Sequence, residues 1–182
     1  METTKNELPE NVKNFFYKLS DYLDTKFYYF GSIQRSDYIP GKSDIDIDVF
    51  PDNEYSLMTK MQHYLHVSKS DFQKVAWIIN GTNTYGYKLK YVNEKENIIT
   101  EFSIYNDKFK DVILKEHNNK NQLPIYITVL LYILKYLYYH IGLFDTKTFA
   151  YLKRVVLNGC LGEEVDAKFL VLSPKKNKLN NN

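Results

Sequence analysis

Residues 31–48 read GSIQRSDYIPGKSDIDID, and the end of this stretch decides how the chain is read. In an extended strand successive side chains alternate faces, so Asp44, Asp46 and Asp48 project from one side while Ile45, Ile47 and Val49 project from the other. The apolar face can be buried. The acidic face stacks three like charges about 7 Å apart, a repulsion on the order of a kcal/mol unless a cation or solvent relieves it. The alternation alone fits either a cation-binding strand or an amphipathic edge strand whose aspartates face water. A calcium loop of the EF-hand kind is excluded. Started at Asp44, it needs Gly at the sixth position and Glu at the twelfth, where this chain has Val49 and Tyr55.

Upstream, the aromatic run Phe27 to Phe30 reads as a buried strand stopped by Gly31. A turn at Gly31-Ser32 can bring backbone N–H groups and the Ser32 hydroxyl close to phosphate oxygens, with Gly tolerating the tight approach. A Gly-Ser pair by itself marks only a turn. Residues 33–43, with Pro40 and Gly41, read as a loop with a short helical turn at its start, leading to a strand from Asp44 to Phe50. An apolar strand, Gly-Ser, a spacer and then S-D-I-D-I is a far more specific combination than any of its parts.

In this combination the chain resembles the DNA polymerase β-like nucleotidyltransferase superfamily, which includes poly(A) polymerases, terminal uridylyltransferases and small antibiotic- or protein-modifying members. The shared signature is a hydrophobic residue, Gly-Gly or Gly-Ser, a spacer, then Asp-hydrophobic-Asp-hydrophobic, matched here by Phe30-Gly31-Ser32 and Asp44-Ile45-Asp46-Ile47. The preceding Ser43 resembles the common SDID form, which selects Asp44 and Asp46 over the shifted pair Asp46 and Asp48; Asp48 stays open as an auxiliary ligand. The resemblance covers about residues 27–160. It implies Gly31 and Ser32 at the nucleotide, Asp44 and Asp46 as metal ligands, and a third carboxylate on a later strand. In IITEFSIY, Phe102 and Ile104 share one face and Ile99, Glu101 and Ser103 the other, so Glu101 is the candidate third catalytic and metal-binding carboxylate, where the family more often has Asp.

A second likeness lies in LYILKYLYYHIGLFDTKTFAYLKR, which resembles the helical region of poly(A) polymerases and uridylyltransferases. There a Lys and a Ser-Tyr pair touch the triphosphate and the base; the matching positions are Lys135 and Ala150-Tyr151, so Lys135 and Tyr151 carry over as nucleotide-binding candidates. Ala150 replaces the Ser and Leu137 the usual Trp. Lys135 also fits a lysine snorkelling from a buried helix, and Tyr151 fits core packing. Lys88 and Lys90 fit either a solvated face or a phosphate- or RNA-contacting surface. His63 and His66 stand one helical turn apart with no third ligand of matching type, which argues against zinc.

A chain of 182 residues allows one core with a small appended subdomain. With 44% hydrophobic and 25% charged residues it has the composition of a folded protein. The formal charge of +2 is too small for a strongly basic nucleic-acid binder, so any such contact needs a local patch. Cys160 is the single cysteine, which rules out an intramolecular disulfide and fits an intracellular, cytoplasmic setting. The N-terminus lacks the apolar core of a signal peptide. Ile125 to Phe144, interrupted by Lys135 and His140, falls short of the roughly 20 apolar residues that span a bilayer, and reads as a core helix with no membrane partner.

The periodicities place helices from Glu10 to near Lys26 and from about Asn53 to His66. An antiparallel meander follows at Gln73–Ile79, Tyr85–Val92 and Ile98–Tyr105. A weak helix at Asp107–Lys115, a linker at Asn118–Gln122, the apolar helix and a last helix at Thr146–Asn158 complete the chain before a disordered SPKKNKLNNN tail. The expectation is an α/β (α+β) polymerase β-like core with a mixed, mainly antiparallel sheet over residues 1–120, a helical subdomain over 121–162 packed on it, and a partly disordered extension over 163–182. The resemblance implies an enzyme using Mg²⁺ or Mn²⁺ to move a nucleoside monophosphate from ATP or another NTP to a hydroxyl of an RNA 3′ end or a small molecule, releasing pyrophosphate. The alternative is a catalytically inactive or antitoxin-like binding module that keeps the fold.

Overall fold

The computed structural model describes residues 3–79, 81–161 and 169–172. Strands β1 (Tyr28–Phe30), β2 (Ile45–Val49), β3 (Gln73–Ile79), β4 (Thr82–Asn93), β5 (Ile98–Tyr105) and β6 (Phe169–Val171) form one sheet in the order β1-β2-β5-β4-β3-β6. β2 and β5 run parallel and the other neighbours antiparallel, so the sheet is mixed and mainly antiparallel, as expected. Parallel neighbours need a long crossover. Here it holds the second helix, β3 and β4.

The apolar side of the carboxylate strand decides which face is covered. Ile45, Ile47 and Val49 join Leu89, Phe102 and Ile104 in a core closed by α1 (Glu10–Leu23) and α2 (Glu54–Leu65). Helix α1 buries Val12, Phe16, Leu19 and Leu23 at helical spacing. Each such side chain contributes about 1.5–3 kcal/mol. The helix stops at Asp24, left-handed at φ 52° with its N–H donating to Asp21 O at 3.1 Å. Asn53 caps α2 by accepting from Ser56 N at 3.0 Å.

The other face is covered over only part of its width. Helix α3 (Lys110–Asn121) builds a smaller core from Phe50, Trp77, Ile79, Tyr105, Phe109 and Ile113. Asp46, Lys88, Lys90 and Glu101 on the same face stay at least partly accessible.

Four features differ from the sequence reading. Helix α3 runs on through the expected linker to Asn121, because apolar Ile113 and the buried His117 anchor its later turns on the sheet. Helix α4 (Ile125–Tyr136) continues as a π-helical turn, Leu137–Ile141, to Gly142 at φ 68°, before α5 (Thr146–Leu161). It is not a core helix: Ile127, Thr128, Leu131, Leu134 and Lys135 are buried, whereas Ile125 is 79% exposed and Tyr126, Val129, Leu130 and Ile133 also face solvent. Apolar residues surround the whole helix, yet only one stripe meets the protein. Finally, β6 pairs with β3, Phe169 opposite Trp77 and Val171 opposite Val75, as a strand the sequence did not announce. The tail from Ser173 lies outside the described residues. Among the described residues no helix is long and apolar enough to cross a membrane.

Candidate active site

Sheet register gathers the acidic residues. Across β1, β2, β5 and β4 one row reads Phe30, Asp46, Glu101, Lys90, and the next reads Tyr28, Asp48, Ser103, Lys88. Asp46 and Glu101 are therefore direct neighbours from segments far apart in the chain, and Asp44 stands at the entrance to β2.

Gly31 opens a 3-10 turn, Gly31–Gln34, at φ 72°, and a Cβ there would collide with Asp46 Oδ2. Only glycine allows both the left-handed backbone and this approach. The bend and the carboxylate strand thus form a single surface, with Ser32 next to it and buried.

The electrostatics are unusual at Asp46. Desolvation, and then the neighbouring Glu101 charge, push its carboxyl up to about 6, with Lys153 and Lys88 opposing the shift. Two lysines of β4 pair with the cluster: Lys88 Nζ donates to Glu101 Oε1 at 2.5 Å and Lys90 Nζ to Asp44 Oδ2 at 3.3 Å. Burial and then the Asp44 charge push the Tyr139 phenol, on the π-helical turn after α4, up to about 12.

Asp48 turns to another partner. It is 0% exposed and its Oδ2 lies 2.5 Å from His117 Nδ1, on α3. Burial pushes the Asp48 carboxyl up while His117 pulls it down. The imidazole stacks on Phe30 at 3.9 Å and 14° and packs against Trp77. This pair braces the residue before Gly31 against the carboxylate strand.

Lys135 is 4% exposed and committed to the loop between Ser32 and Asp44. Its Nζ donates to Asp37 O at 2.8 Å and Ser43 Oγ at 3.3 Å, and pairs with Asp37 Oδ2 at 2.9 Å. Arg35 Nε holds the other Asp37 oxygen at 2.8 Å. Burial lowers the Lys135 pKa against the pull of Asp37, while the two cations keep the Asp37 carboxyl below its usual range despite burial. Among the sequence candidates, Gly31, Asp46 and Glu101 come together, with Ser32 and Asp44 beside them. Lys135 sits behind them in the buried triad, and Tyr151 stands 60% exposed on α5, hydrogen-bonded to none of them. Sequence reasoning missed Arg35, Asp37 and His117, for polar residues in a loop and at a helix end carry no signal of burial.

Among the described residues no three acidic, His or Cys side chains are gathered as a ready-made metal cage. The donor set nevertheless suits a hard cation. Mg²⁺ takes one or two carboxylates and completes its shell with water and substrate phosphates, and Asp44, Asp46 and Glu101 offer only oxygen.

A glycine bend pressed on a carboxylate strand, with a parallel partner strand carrying the next carboxylate, has the architecture of a nucleotidyltransferase core. Residues 9–158 match the nucleotidyltransferase domain family, and the chain belongs to it. Its general function is therefore nucleoside monophosphate transfer. Comparison with curated proteins and with solved structures gave no match.

Proposed function

We propose that this chain is an active, divalent-cation-dependent nucleotidyltransferase that takes an NTP and modifies an acceptor hydroxyl. The observation that carries the reading is the register of Asp46 beside Glu101, with Gly31 seated against Asp46 on the opposite side. Asp44 and Asp46, with Glu101, are the residues that hold Mg²⁺ or Mn²⁺. When bound, the cations neutralise the triphosphate and favour the ionised acceptor oxygen. The Gly31-Ser32 bend receives the phosphates and fixes the α-phosphorus near Asp46. The acceptor oxygen forms its bond to the α-phosphorus as the bond from that phosphorus to the pyrophosphate oxygen breaks. Glu101 takes the acceptor proton on its carboxylate. Lys135 serves as the pin that seats α4 on the loop ahead of Asp44, and Tyr151 borders the nucleotide from α5. Residues 1–120 are the nucleotidyltransferase core and residues 121–162 its helical subdomain; most of the 163–182 extension lies outside the described residues.

Incubation with Mg²⁺ or Mn²⁺, each labelled NTP in turn, and pools of RNA or small hydroxyl compounds tests the reading. Label transfer that vanishes in Asp44→Ala/Asp46→Ala supports it, and transfer persisting in that variant overturns it. One observation favours a binding module instead: α4 presents Ile125, Val129, Leu130 and Ile133 to solvent. Nucleotide binding without transfer to any acceptor selects that alternative.

A further inference from the structure

We propose that this chain forms a two-fold symmetric dimer in which α4 packs antiparallel on α4 of a second copy; the inference stands on the surface of that helix and not on the nucleotidyl-transfer reading above. An α-helix turns about 100° per residue. With Val129 as origin, Tyr136 lies about 20° away, Ile125 and Ile133 about 40° to either side, and Tyr126 and Tyr132 about 60° to either side. These six residues form one stripe and are from 45% to 79% exposed. The buried residues, Leu131 and Lys135 among them, take the opposite side of the helix. Residues 125–134 include no charged side chain.

The order of side chains along the stripe points to a second copy as the occupant. From Ile125 to Ile133 the exposed stripe reads Ile-Tyr, Val129, Tyr-Ile, the same in both directions. In an antiparallel helix pair about a two-fold axis through Val129, each residue faces the one equally far on the other side of Val129 in the second copy. Ile125 therefore meets Ile133 of the partner subunit, Tyr126 meets Tyr132 of the partner subunit, and the two Val129 side chains meet on the axis. An isologous contact requires a surface that fits itself, and this stripe does. Its smallest side chain lies on the axis, where paired helices about 8–10 Å apart come closest. The tyrosines flank the aliphatic centre, so their rings extend the apolar contact while their hydroxyls reach water at its rim.

The area agrees. With Leu130, which is also exposed at the margin, seven side chains stand about half open. At about 150–250 Å² for a large side chain they present on the order of 700 Å², more than the roughly 300–600 Å² of the largest patch on a typical monomer and close to the roughly 800 Å² that each partner gives to a standard interface. Charge separates the possible occupants. A helix that lies on an anionic membrane sets Lys or Arg beside its apolar face, and residues 125–134 offer neither. A charged partner would find no counter-charge there, whereas a second copy brings an equally uncharged face.

The test uses the full chain in sedimentation velocity over a range of concentrations, with circular dichroism to check the fold of each variant. The chain sediments as a dimer, at twice 21.6 kDa. Val129→Glu and Val129→Lys each bring like charges together on the axis and raise the dimer Kd by about 100-fold or more. An equal mixture of the two variants recovers the dimer, because unlike charges then meet there. In a Cys160→Ser background, which leaves no other cysteine, Val129→Cys forms a disulfide-linked dimer under mild oxidation. Tyr17→Glu, at an exposed position on α1, leaves the dimer intact. A monomer at every concentration, a dimer indifferent to both charges at Val129, a mixture that stays monomeric, or a persistent dimer that the Val129→Cys variant does not cross-link overturns the proposal. So does flotation of a monomer with phosphatidylserine vesicles that is lost in Val129→Glu, which assigns α4 to a membrane surface instead.

Discussion

Asp46 of β2 and Glu101 of β5 are register partners across the parallel β2–β5 pairing, and Gly31 presses on Asp46 from the side away from Glu101. Burial first, and the Glu101 charge second, push the Asp46 carboxyl up to about 6. On the proposed reading, removing either charge removes a cation ligand. Asp46→Asn is expected to lower label transfer by about 10³-fold or more, the several kcal/mol that a bound cation supplies at the transition state. Glu101→Gln is expected to cost about 10²–10³-fold, most of it in kcat, as befits a lost proton acceptor. Steady-state kinetics with Mn²⁺ checks both.

Gly31→Ala separates stability from geometry. An alanine at φ 72° costs about 1–2 kcal/mol, a few degrees of Tm in a chain of this size. The colliding atom is the far end of the Asp46 side chain, which can swing aside, so the fold survives. The swung carboxylate no longer meets the cation, and a displacement near 1 Å costs about 10²-fold in rate. A small Tm shift with a large activity loss is the expected result, read by thermal melting and initial rates.

The raised Asp46 pKa sets a pH window with a definite sign. Its folded value, about 6, lies above the ordinary carboxylate value of 3.8, so ionisation of this group disfavours the fold. Without cations, wild type should gain Tm relative to Asp46→Asn as pH falls through about 6, the gain being complete below the ordinary value. Cation affinity runs the other way, because the ligand must be ionised. Below pH about 6 the apparent Mn²⁺ affinity should fall by up to tenfold per pH unit. Titration calorimetry at several pH values checks the direction.

The carboxylate strand and its glycine bend were legible because their signal is local: Gly31, Asp44 and Asp46 lie close in sequence, and a period of two puts the aspartates on one face. Glu101 was legible through its own strand alternation, although its pairing with Lys88 depends on the turn between β4 and β5. The braces behind the site were not legible. His117 meets Asp48 from 69 residues away and Lys135 meets Asp37 from 98, and buried ionic groups in a loop look like solvated ones until the fold closes on them. The exposed face of α4 was hidden for the opposite reason. Apolar composition signals burial, and a helix apolar all round does not say which stripe will be covered.

Lys135 discriminates between a structural pin and a triphosphate contact. Breaking a buried ion pair by removing one partner costs about 3–5 kcal/mol, and Arg35 remains to compensate Asp37, so Lys135→Met should cost about 3 kcal/mol. Because the lost bonds join α4 to the loop before Asp44, protease cleavage between α4 and α5 should rise with the fall in Tm. A raised KM for NTP with Tm unchanged would instead make Lys135 a phosphate ligand.

The Asp48–His117 pair should behave as a brace whose value lies in its completeness. His117→Phe keeps an aromatic ring against Phe30 and Trp77 but leaves Asp48, 0% exposed and with Oδ1 already lacking a hydrogen bond, without its only bonded partner among the described residues. That uncompensated carboxylate should cost about 3 kcal/mol or more. Replacing both residues, as Asp48→Leu/His117→Phe, removes the buried charge together with its partner and should recover most of the loss, since a buried pair exchanged for apolar groups of similar size is often neutral. The coupling energy from denaturant melts of the two single variants and the double variant measures the pair directly. A coupling near zero would mean that Asp48 spends its charge elsewhere, toward the proposed cation site two residues upstream at Asp46.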